Sequence, residues 1–194
     1  MNDFKLKMKN KIKEYSNDNY MDDYIKKEYL TEDGDANIFL YLNSIDELVD
    51  SRTRGVQTEL LSSIYEYFES KSSMLENDIK ITFHIEGLKL TDNDKELVRN
   101  LFKEHYSIEL YKAQNEYKDT KNKILKLIGL GFSSFLLYLI FFFNSSFEFF
   151  LEVFGFIFSF ALWEGFDAMI YSLSEAEDQR EAVTQNLLTE IVFE

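Results

Sequence analysis

The chain has 194 residues, enough for one modest soluble domain beside a helical hairpin. It contains no cysteine, which excludes a disulfide framework, a thiol nucleophile and a cysteine-based metal site. A net charge of −14 argues against nucleic-acid binding by the surface as a whole and leaves room only for a local basic patch.

The N-terminal stretch MNDFKLKMKNKIKEY is charged and lacks the apolar core of a cleavable signal peptide. Phe4, Met8 and Ile12 recur every four residues and predict a helix with one narrow apolar edge. Lysines 5, 7, 9, 11 and 13 spread around that helix. Lys5, Lys9 and Lys13 are candidates for an anionic ligand, although a solvated helix face explains them as well. Asn17-Asp18-Asn19 is a predicted cap for a short helix from Tyr20 to Leu30, and Thr31 to Asp35 reads as a turn.

Ile38 to Leu42, IFLYL, is a short apolar run of strand formers. Ser44 to Glu47 matches a capping box and predicts a helix to about Asp50. Ser51 to Gly55 reads as a loop. Its Arg52 and Arg54 interrupt an acidic surface and join the anionic-ligand candidates, although ordinary salt bridges explain them nearly as well. Leu60, Leu61, Ile64, Tyr65 and Phe68 predict one face of a helix over Gln57–Ser72. In DIKITFHIE, Asp78 to Glu86, Ile79, Ile81, Phe83 and Ile85 alternate with polar residues, a strand signature. Two strands joined by a helical crossover predict a parallel, right-handed βαβ unit. Thr91 to Asp94 starts another helix, with no strong stop signal before Phe143.

Leu125 to Phe143 and Phe149 to Leu173 are the most apolar stretches, separated by a polar break at Asn144 to Ser146. About 20 apolar residues cross a hydrocarbon core as a helix, so the pair predicts a transmembrane hairpin. Lys118, Lys121, Lys123 and Lys126 crowd the entry to the first stretch, and Arg180 follows the second. The outer connection carries no Lys or Arg. Both termini are therefore expected on the cytoplasmic side. Glu175 to Leu188 predicts a helix leaving the membrane, and Thr189 to Phe193 a strand returning to the sheet. The expected fold is an α+β membrane protein: a small cytoplasmic sheet, βαβ plus a C-terminal strand, with long helices running into a two-helix hairpin. The expected divisions are residues 1–123 (cytoplasmic sensing or interaction domain), 124–173 (hairpin) and 174–194 (returning helix and strand).

At about 100° per residue, Glu148, Glu152, Gly155 and Ser159 form one narrow stripe on the second apolar helix. Asp167 lies about 60° and Glu164 about 120° round from Glu152. An ionised side chain at the bilayer centre costs about 2.5–3.5 kcal/mol, so such groups face protein or water. Glu148, Glu152, Ser159, Glu164 and Asp167 are thus candidates to line a pore. Headgroup placement explains Glu148 and Glu152 as well, and structural pairing explains Glu164 and Asp167. Gly129 and Ser133 have the small-x-x-x-small spacing of close helix packing.

The strand IFLYL, the strand DIKITFHIEGL, a long helix, two apolar spans, the W-E-x-x-D core (Trp163, Glu164, Asp167) and a terminal strand together resemble a family of small bacterial two-span membrane proteins. The architecture is also similar to the channel-forming membrane effector of the Hailong anti-phage system. This resemblance implies a homo-oligomeric channel, a tetramer, in the bacterial inner (plasma) membrane. It also implies a nucleotide-derived oligomer, made by a partner nucleotidyltransferase, that holds the channel closed. No phosphate-binding glycine loop or metal motif stands in the chain, so neither catalysis nor a cofactor is expected. The function expected is a ligand-gated cation-conducting pore controlled by its cytoplasmic domain. The alternative is a membrane-anchored adaptor whose hairpin only tethers an interaction domain.

Overall fold

Alternating apolar residues build the sheet. In the computed structural model, which describes residues 7, 13, 24, 25, 27–50, 58–87, 89–143 and 148–194, β1 is Ala36–Tyr41, β2 is Ile81–Glu86 and β3 is Glu190–Phe193. The order is β1-β2-β3 and both pairings are parallel. Ile38 pairs with Phe83, and Phe83 with Ile191, so one face collects the apolar side chains. The expected α+β class and small parallel sheet are therefore present. β2 is shorter at its start than the alternation predicts. Ile79 donates to the Glu76 carbonyl in a turn, and pairing begins only where the Lys80 carbonyl accepts from Ala36 N–H.

The connection between β1 and β2 holds α1, Ser62–Ser72. The predicted start at Gln57 is too early. Leu60 bridges Val49, and Leu61 N–H donates to the Leu48 carbonyl, so residues 58–61 spend their backbone groups on another segment. The expected helix after Ser44 is a single 3₁₀ turn, Ile45–Glu47. Ser44 makes no side-chain cap bond. The Glu47 carboxylate instead accepts from Asn43 N–H, and the Val49 bridge then takes over.

α2, Asp92–Phe142, runs 51 residues without interruption, as the missing stop signal predicts. Its start is a reciprocal cap. The Asp94 carboxylate accepts from Thr91 N–H at 3.0 Å and Thr91 O–H at 2.7 Å, while Thr91 Oγ1 accepts from Asp94 N–H. These bonds hold the Asp94 carboxyl below its ordinary range. α3, Glu148–Asp167, passes through a π turn, Ala168–Ser172, into α4, Leu173–Leu187. The expected membrane exit is thus a change of helical winding, with no break between the two helices.

The chain divides into two compact units, residues 1–106 with 184–194, and residues 107–183. In the first, Phe68, Phe83, Phe102 and Tyr106 are 0–2% exposed. Phe68 lies 5.0 Å from Phe83 and 5.2 Å from Phe102, ring centre to ring centre. Burial there, with Glu59 and Glu104 nearby, raises the pKa of the Tyr65 phenol. The same unit fastens the end of α4: Gln185 Nε2 donates to the Glu76 and Ile79 carbonyls at 2.7 and 2.8 Å. Gly87 closes β2 at φ +85°, where an added Cβ would stand 2.6 Å from the Leu42 carbonyl oxygen.

Candidate functional site

The second unit carries the acidic candidates. The most apolar 18 residues of α2 are only 17% buried, and those of the helix from Glu148 to Leu187 only 11%. Both helices are long and apolar enough to cross a membrane. Their low burial separates them from the core helices of a soluble domain, which hide such surface.

The two helices touch along one face each. Lys123 Nζ donates to Glu164 at 3.1 Å. A Cβ on Gly165 would meet Leu127, one on Gly131 would meet Ala161 and Leu162, and one on Gly155 would meet Tyr138. Phe135 lies tilted against Phe158 at 5.0 Å, and Phe141 stacks near Phe150 and Phe154. Ascending positions on α2 meet descending positions on α3, so the pair is antiparallel, as a hairpin requires.

This contact sorts the candidates. Glu164 faces α2 and is half-buried beside Lys123. Gly155, part of the expected stripe, packs on Tyr138. Glu148, Glu152, Ser159 and Asp167 are exposed. Among the described residues no hydrogen bond or ion pair engages the carboxylates of Glu148, Glu152 or Asp167, whereas Ser159 Oγ donates back to the Gly155 carbonyl at 2.9 Å. Exposed Phe156, Phe160 and Trp163 stand on the same side of α3. Gly129 and Ser133 lie away from the hairpin contact. No atom lies within 4 Å of a Cβ built on Gly129, and Ser133 is exposed, its Oγ bonding the Gly129 carbonyl at 2.8 Å. Within the hairpin, the close approach falls to Gly131, Gly155 and Gly165 instead.

Of the anionic-ligand candidates, Lys13 is an exposed helical residue. Lys5, Lys9, Arg52 and Arg54 lie outside the described residues, as does the outer connection at 144–147. Sequence spacing gave no sign of the surroundings of His84. Its ring stacks on Phe39 at 4.6 Å and reaches Asn37 Oδ1 and Glu194 Oε1, each at 3.2 Å. Parallel pairing of three distant segments makes that cluster. Among the described residues no group of three or more acidic, His or Cys side chains is placed to hold a metal. Comparison with protein-family models, curated proteins and solved structures finds no match.

Proposed function

We propose that this protein is an oligomeric, ligand-gated, cation-conducting pore of the bacterial inner membrane, controlled by its cytoplasmic domain and serving anti-phage defence. Two helices with mostly uncovered apolar surface call for a bilayer around them. Lys118, Lys121, Lys123 and Lys126 at one end of the pair support cytoplasmic termini. The observation that carries the pore is Glu152: a carboxylate within an apolar helix, exposed, and on the side turned from the hairpin partner. Facing lipid it carries a desolvation cost, up to about 2.5–3.5 kcal/mol at the bilayer centre and less toward the headgroups. Facing a water-filled axis in a ring of copies it keeps its hydration and attracts cations, with Glu148 a turn further out and Ser159 further in. Glu164, bonded to Lys123, sets the hairpin and contributes less to the axis.

The ligand is a nucleotide-derived oligomer, the reading implied by the similarity of the architecture to the channel-forming membrane effector of the Hailong anti-phage system. The test is flux through the reconstituted full-length protein in a conducting state. Glu152→Gln lowers cation preference, and Glu164→Gln acts chiefly by loosening the hairpin. Unchanged flux and unchanged ion preference in both variants would sink the pore and favour the anchored adaptor.

A further inference from the structure

Each helix of the pair presents a second face that its hairpin partner leaves uncovered. On α2, Lys126, Gly129, Ser133 and Ile140 fall within about 60° of one another at 100° per residue. All four are exposed. On α3, Phe156, Trp163 and Asp167 fall within about 40° of one another, also exposed, Trp163 to 75%. The hairpin contacts fix the relative heights. Reading from Leu127 against Gly165 and Gly131 against Ala161, Gly129 comes level with Trp163, and Lys126 with Phe166 and Asp167.

The two faces are complementary in shape and charge. One has a gap at Gly129, where no atom lies within 4 Å of a built Cβ. The other has the large exposed Trp163 at the same height. One has a lysine and the other an aspartate, again at one height. An open hollow of about 410 Å³ flanks Lys126, lined also by Asp119, Asn122, Lys123, Leu127 and Leu130. Within one chain the faces point away from each other, so they can meet only between copies. Small residues let helices approach closely in lipid, and a charge pair there is favoured by the cost of leaving either ion alone.

Resting on the oligomeric reading above, we propose that copies of this chain pack head to tail in the membrane. The Lys126–Gly129–Ser133 face of one copy receives the Phe156–Trp163–Asp167 face of the next. Lys126 pairs with Asp167 across the contact, and Trp163 seats over Gly129. Because the two faces differ, the contact is heterologous, and it closes into a ring when the rotation from copy to copy divides a full turn. Asp167 then belongs to the contact between copies, and Glu152 and Ser159, at its edge, are left to the axis.

The absence of native cysteine makes the test clean. Full-length chains carrying Gly129→Cys and Trp163→Cys bear different tags and are co-expressed, and their membranes are oxidised. A mixed-tag dimer is expected, with no dimer when either variant is expressed alone. Same-tag dimers from a single variant would show a two-fold contact and overturn the head-to-tail arrangement. No mixed dimer from chains recovered in one membrane fraction would overturn the contact and leave these faces to lipid. Lys126→Asp added to the Gly129→Cys chain should cut the yield about tenfold, since it sets like charges together. Restoring the pair with Asp167→Lys on the Trp163→Cys chain should recover the yield. An unaffected yield, or no recovery, overturns the Lys126–Asp167 pair. Flux without a mixed dimer removes this contact and keeps the pore. A mixed dimer without flux in any state keeps the contact and removes the pore.

Discussion

The sheet unit and the apolar helix pair use aromatic side chains in opposite ways. Phe68, Phe83, Phe102 and Tyr106 are 0–2% exposed around the sheet, whereas Phe143, Phe149, Phe156 and Trp163 are 71–83% exposed on the helices. The same residue classes are hidden from solvent in one unit and presented to it in the other. In the first unit the chain supplies its own apolar surroundings. In the second the chain leaves most of its apolar helix surface uncovered. Stability therefore resides in different places, and substitutions can separate the two.

The widest separation is expected from Phe83→Ala. It empties a fully buried site and should cost the sheet unit about 3–5 kcal/mol. Phe156→Ala should leave the melting temperature of the detergent-solubilised monomer nearly unchanged. Equal losses in the two variants would erase the distinction. Gly87→Ala comes next, because it forces a side chain into positive φ and against the Leu42 carbonyl. The expected cost is about 1–3 kcal/mol, read by denaturant unfolding. Gln185→Ala should cost about 1 kcal/mol. It should also speed amide exchange locally near Ile79, since the Glu76 and Ile79 carbonyls lose their shared donor.

The smallest effect is a pH dependence at the start of α2. The folded pKa of Asp94 is lowered, first by the Thr91 hydroxyl and then by the Thr91 amide. Its contribution is therefore complete above the ordinary aspartate range and lost as the pH falls below about 4 toward the lowered folded value. The amide protection factor at the first turn, taken against the intrinsic rate at each pH, should fall with acidification in that window, and Asp94→Asn should flatten the response. A first turn equally protected on both sides of pH 4 would show the cap to be immaterial.

Local periodicity made much of this fold legible. Ile81, Phe83 and Ile85 alternate whatever they pair with, Thr91 and Asp94 are three residues apart, and the apolar stretches announce themselves by length. The short elements misled, since Ser44 and Glu47 carry a capping-box pattern that the Val49–Leu60 bridge overrides. At the acidic candidates, the common helical face of Glu148, Glu152 and Ser159 could be read from spacing. The Lys123–Glu164 bond could not, because its partners are 41 residues apart and meet only once the hairpin forms. His84 is the same case in the sheet, where Asn37 and Glu194 reach it by parallel pairing.

The π turn at Ala168–Ser172 adds a phase slip to an otherwise continuous screw. One extra residue in a turn offsets everything beyond it by about 100° relative to an unbroken α-helix. A face drawn along α3 therefore stops being the same face in α4. Asp167, on the last regular turn, is the final position for which the wheel centred on Glu152 holds. Taking one residue out of Ala168–Ser172 would restore regular winding and bring the two wheels into one register, while the side chains of α4 keep the directions they now have and no residue of the acidic face is altered.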